Sequence, residues 1–248
     1  MDMNAKSSPN LEEVEREVKA RTRAEQVEAV GLAERLLNLY LAGFGKLSLI
    51  TPQPQNELEW ARRLLANRSF NSLRCAYELL QLGYYTQALT LSRCVTEDWL
   101  ISVDCAAHPE TLEALLRGQV RMPKFETMAK RNGPDVLRAW RGHASSGEGQ
   151  YGVLSTFAHP RARGLRLLLD HERGLLRLGG SYDAILFGFS SYYLIRVSRL
   201  YSEILARLVA AAGGAAWVDQ VRILLDEAIR WEDKMISWAK DELEKASG

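Results

Sequence analysis

One stripe of residues near the end of the sequence restricts the fold more than any other feature. Trp217, Val221, Leu224, Ala228, Trp231, Met235 and Trp238 follow one another at spacings that alternate four and three. A helix puts such residues on one face, whereas a strand would send them to both sides of a sheet. A helix from Ala216 to about Lys245 is therefore expected, and its stripe has to be covered. Each tryptophan brings roughly 150–250 Å² of area if buried. The stripe either packs on the parent bundle or forms a seam with a second copy, since tryptophan is enriched at interfaces. With the apolar surface of the first helix, it leads to the expectation of a homodimer.

Glycine and proline cut most of the remaining chain into helices. After a lead-in over residues 1–9, expected to be disordered, "NLEEVEREVKARTRAEQVEAVGLAERLLNLYLAGFG" reads as one long helix with Asn10 as N-cap. Its charged first half is expected to project into solvent and its apolar second half, Leu32 to Phe44, to join the core. An arm clasping a second subunit is the alternative. Pro52 and Pro54 then break the chain. A helix over Asn56–Leu82 is stopped by Gly83, and another ends near His108-Pro109. Shorter helices are expected at 110–117, 123–131, 134–141 and 150–158. Ser181 and Asp183 offer caps for a long helix to about Ala212, with Phe189, Tyr193, Val197, Leu200, Ile204 and Leu208 on its apolar face. Only "LRLLLDHERGLLRL" departs from helix, as two short apolar runs bounded by glycines. The expected fold is all-α: a single-domain helical bundle over residues 10–248 with one small inserted β-hairpin at about 164–179.

Composition narrows the function classes. Lys+Arg is 32 against Asp+Glu 31, so no general charge excess draws the chain to nucleic acid or to an anionic membrane. Cys75, Cys94 and Cys105 make no CxxC pair, and with four histidines a Cys/His metal site is not expected. No apolar run is long enough to span a bilayer, and "MDMNAKSSPNLEEVEREVKA" lacks the apolar core of a signal peptide. A reduced, cytoplasmic protein without metal, cofactor or membrane partner is expected.

Two kinds of polar pattern stand out. Arg93 and Glu97 are four apart within "ALTLSRCVTEDWLISV", and Arg74 and Glu78 repeat that spacing within "SLRCAYELL". An i,i+4 ion pair on a helix surface is worth a few tenths of a kcal/mol. Arg93 and Glu97, however, have mostly apolar neighbours and would need each other or further partners if buried. In "YGVLSTFAHPRARG", Tyr151, Ser155 and His159 share one face of a short helix that Pro160 ends. His159 could act as a general acid or base, with Arg161 or Arg163 holding a phosphate or carboxylate. The alternative is that Ser155 and His159 tie down a helix end. Ser155 lacks the glycine-flanked turn of an activated nucleophile.

Two resemblances follow from these motifs. The order "ALTLSRCVTEDWL", "YGVLSTFAHPRARGL", a leucine-rich segment and "LGGSYD" resembles an uncharacterised family of bacterial all-helical proteins over about residues 60–210. That family has an Arg-x3-Glu helix and a Tyr-x3-Ser-x3-His helix. The resemblance implies that Arg93, Glu97, Tyr151, Ser155 and His159 belong to one site, and it brings no activity with it. "RAWRGH" places Arg138 and His143 at an Arg-x4-His spacing that resembles the motif of HEPN-type ribonucleases, with Ala139 where that family usually has a polar residue. The leading expectation is a cytoplasmic bacterial helical binding or regulatory protein, with a small ligand or a protein as partner and a polar site between the Arg93/Glu97 and Ser155/His159 helices. Glu97 is expected within reach of His159 or Arg93. The alternative is a HEPN-like metal-independent endoribonuclease acting on RNA through Arg138 or Arg93 with His143 or His159.

Overall fold

The computed structural model describes residues 10–50, 53–118, 121–141, 149–158, 169–170, 175–176 and 180–247. Among these the chain is all-α. Its elements are α1 (Leu11–Glu25), α2 (Val27–Ile50), α3 (Glu57–Gln81), α4 (Tyr85–Ala107), α5 (Pro109–Arg117), α6 (Phe125–Arg131), α7 (Pro134–Arg141), α8 (Gly149–Ala158), α9 (Ala184–Ala211) and α10 (Ala215–Ser247). The starts follow local chemistry. Asn10 accepts from the Glu13 N–H while the Glu13 carboxylate accepts from its own N–H, a capping box. Asn56 and Asp183 cap α3 and α9 with their side-chain oxygens alone, without the reciprocal bond, and Pro109 opens α5 where its missing N–H costs nothing.

The expected single first helix is in fact two. At Gln26 the backbone leaves helical geometry (φ −116°, ψ 38°). The bend loses little, because the Gln26 N–H still donates to Thr22 and its carbonyl still accepts from Val30. It lays α1 along the bundle instead of into solvent, with Val18 and Thr22 buried. Lys19 pairs with Glu78 of α3 at 2.6 Å, and Arg23 donates to Gln81. Glu78 is thus committed to Lys19, and Arg74, its expected partner, is exposed.

The core lies between α2, α3, α4, α9 and α10. Helix α9 runs through its centre, buried on more than one face: Phe187, Ile195, Val197, Tyr201 and Leu205 are all enclosed. Phe189 and Tyr193 were expected on that apolar face, but they stay at the periphery, edge to face with each other. The α10 stripe is spent inside the chain. Trp217 is completely buried and its indole N–H donates to the Leu39 carbonyl of α2 at 2.8 Å. Gly43 permits this, since a Cβ there would come within 2.5 Å of the Trp217 ring. Trp231 is buried, and Trp238 with Met235 approaches Gly188 of α9.

The expected hairpin over 164–179 is not seen at that extent. Leu169–Asp170 and Leu175–Leu176 pair antiparallel, and the other residues of that span lie outside the described residues. No helix among the described residues is long and apolar enough to cross a membrane.

Candidate functional site

Helix α4 carries the polar groups, and α8 packs across it. Arg93 and Glu97, one turn apart, meet through Arg93 Nε and Glu97 Oε1 at 2.8 Å. Tyr151 of α8 closes a triangle: its hydroxyl accepts from Arg93 Nη2 and donates to Glu97 Oε1, each at 3.0 Å. The Arg93 guanidinium also lies 5.2 Å from the centre of the Tyr151 ring. The two charged side chains are only 18% and 15% exposed. Burial works against the Arg93 cation, but the Glu97 carboxylate and the Tyr151 oxygen outweigh it and hold its pKa above the ordinary value. Burial and the Glu97 charge both push the Tyr151 phenol up. The phenol is therefore held as a neutral donor to a carboxylate, a geometry suited to orienting groups rather than to shuttling protons.

An aromatic wall backs the triangle. Trp140 of α7 stacks on Tyr151 with centroids 4.8 Å apart, and Phe125 of α6 lies at 5.9 Å. Trp140 Nε1 in this wall is buried with no hydrogen-bond partner among the described residues, as are Gln150 Nε2 and Ser155 Oγ on α8. Gln150 is otherwise fixed, its carbonyl accepting from Arg196 Nε at 2.7 Å. Buried polar groups are satisfied in the great majority of cases, so orphans beside a fixed guanidinium ask for a partner from outside the chain.

Of the residues expected at the site, the structure brings together Arg93, Glu97 and Tyr151 and places Ser155 one turn further along α8. His159, Arg161, Arg163 and His143 lie outside the described residues, as does the expected contact of Glu97 with His159. Arg138 is 76% exposed on α7 and faces Asp135 at 3.6 Å.

The sequence reading missed two buried carboxylates on the same helix. Asp98 accepts from Ser69 Oγ at 2.9 Å and pairs with Arg68 at 2.7 Å. Burial outweighs both and pushes its pKa to about 6. Asp104 accepts from Thr111 Oγ1 at 2.6 Å, Asn132 Nδ2 at 2.5 Å and Arg131 Nε at 2.8 Å, and Arg131 Nη2 donates to it as well. Those donors overcome the burial penalty and hold the carboxyl below its usual range. An acid set among apolar residues in "CVTEDWLISVDCA" was the available signal. Next to Arg93 on the same helix, the Cys94 thiol is pushed up by burial and by Glu97, which makes it a poor nucleophile. Among the described residues no group of His, Cys, Asp and Glu could hold a metal ion. No family model, curated protein or solved structure matches this chain, so the two resemblances rest on their quoted motifs alone.

Proposed function

We propose that this is a cytoplasmic binding protein whose ligand site lies at the polar contact between α4 and α8. The observation that carries the reading is the pair of orphaned buried groups beside the Arg93–Glu97–Tyr151 triangle, Trp140 Nε1 on the ring stacked against Tyr151 and Ser155 Oγ one turn along α8, with Gln150 Nε2 a third orphan on the same helix. Two of the three are N–H donors and the serine hydroxyl can donate, and a cation lies beside them. A small polar ligand rich in acceptor oxygens fits that set. Glu97 and Tyr151 hold the guanidinium in one orientation, which reduces the ordering cost on binding.

Native mass spectrometry of the purified full chain tests this. A small-molecule adduct released on denaturation is expected, and it should be lost in Arg93→Gln and Ser155→Ala variants that keep the wild-type helical signal. An apo mass for the wild type, or an adduct unchanged in both variants, sinks the reading. Cleavage of single-stranded RNA that disappears in His143→Ala or His159→Ala would establish the ribonuclease alternative instead.

A second copy of the chain remains part of this reading. With the tryptophan stripe used internally, it is supported by Leu41, Leu49, Ile50, Trp60 and Leu64, which stay exposed at the end of α2 and the start of α3. Light scattering at micromolar concentration reads a dimer mass if this holds and a monomer mass if it does not.

A further inference from the structure

At the opposite end of α4, the start of α3 and the end of α9 enclose a cavity of about 160 Å³, well above the roughly 10–15 Å³ that one water requires. Two guanidinium side chains line it, Arg62 from α3 and Arg207 from α9. Arg62 Nε is buried without a hydrogen-bond partner, and no ion pair reaches Arg62 among the described residues. Burial and then the neighbouring Arg207 charge both depress its pKa. Among the described residues Arg207 has one ion-pair contact, a loose one with Glu203 at 4.0 Å, and Glu203 accepts from the Trp99 indole. Glu59, the one carboxylate lining the cavity, is engaged by Arg63 and by the Gln55 N–H. The opposite wall is apolar: Leu58, Leu208, Ala211 and Ala212.

Two like charges line the cavity, one with an orphaned buried donor, and the nearest carboxylates, Glu203 and Glu59, are shared with Trp99, Arg63 and the Gln55 N–H. An arginine fork matches the oxygens of a phosphoryl group better than any other common side chain. We infer that the Arg62–Arg207 cavity is a second ligand site, which takes a phosphoryl group on the two guanidiniums and a small apolar remainder against the Leu58–Leu208 wall. It is separate from the site proposed between α4 and α8. Cys105, whose thiol interacts electrostatically with Arg62, lies twelve residues beyond Arg93 on α4, about 18 Å along the helix.

Calorimetric titration of the full chain with inorganic phosphate and with phenyl phosphate, at constant ionic strength in chloride, tests the assignment. Saturable binding is expected, weakened about tenfold or more by Arg62→Gln and by Arg207→Gln. Arg62→Lys should also bind more weakly, because it keeps the charge and loses the fork. Tighter binding of phenyl phosphate is expected from the apolar wall, whereas equal affinities overturn that half of the assignment and leave free phosphate as the ligand. Arg207 is nearly half exposed, so its variant reports even if Arg62→Gln fails to fold. No saturable binding of either probe at millimolar concentration overturns the inference, as does binding that neither folded variant weakens.

Discussion

Asp98 and Asp104 occupy the same helix, six residues apart, and neither side chain is exposed. Asp98 has a serine hydroxyl and an arginine whose own side chain is 57% exposed. Asp104 has a threonine, an asparagine and two nitrogens of one arginine, brought by α5 and α6. Asp98 is pushed toward its neutral form and Asp104 is held as an anion. Neither has exposed surface, but Asp98 lies deeper and has fewer donors, and depth and donors together decide the charge state. One carboxylate fastens three helices together, and the other is a latent weakness in the fold.

Asp104→Ala gives the largest expected effect. It leaves Arg131 without its main partner and should cost roughly 3–5 kcal/mol in urea unfolding. A loss below about 1 kcal/mol would break the contrast, because it would make Asp104 no better than a surface pair. Next is the pH dependence. The Asp98 carboxyl rises from 3.8 to about 6 on folding, a difference worth about 3 kcal/mol. Between those values the folded state binds the extra proton, so this group adds stability as pH falls from about 6 to 4 and withdraws it as pH rises. Asp98→Asn should flatten that slope. Asp104 has the opposite sign, since its contribution is present above 3.8 and is lost as pH falls below it. A wild-type stability curve with no slope that Asp98→Asn removes would contradict the raised pKa.

Smaller effects sharpen the comparison by adding the third polar group of α4. Tyr151→Phe removes two hydrogen bonds but leaves Arg93 and Glu97 paired, so a loss of about 1–2 kcal/mol is expected in thermal unfolding. Lys19→Ala should cost less than about 1 kcal/mol, because its bridge to Glu78 is partly exposed on both sides.

The sequence discloses what depends on local chemistry. Asn10, Asn56 and Asp183 mark helix starts because their side chains cap within three residues. The Arg93/Glu97 pair was readable because helical spacing alone brings those two together. The break at Gln26 was not, since no glycine or proline marks it and the side chain that meets it, Tyr182, is 156 residues away. Arg131 reaches Asp104 across 27 residues, and no pattern in "VDCA" announces such a donor. Arg62 was overlooked for a related reason. In "LEWARRLLANR" it looks like one more solvated charge, and only the approach of α9 encloses it.

The seat of Trp217 against Gly43 has a consequence for how the chain is made. Its hydrogen bond to Leu39 joins positions 178 residues apart. At a synthesis rate of about 5–20 residues per second, roughly 10–35 seconds pass between the appearance of the two partners on the ribosome. During that interval the groove at Gly43 stands open beside the apolar residues of α2. A chain made only as far as α9 therefore presents the Gly43 face of α2 without its Trp217 cover, and α10 supplies that cover.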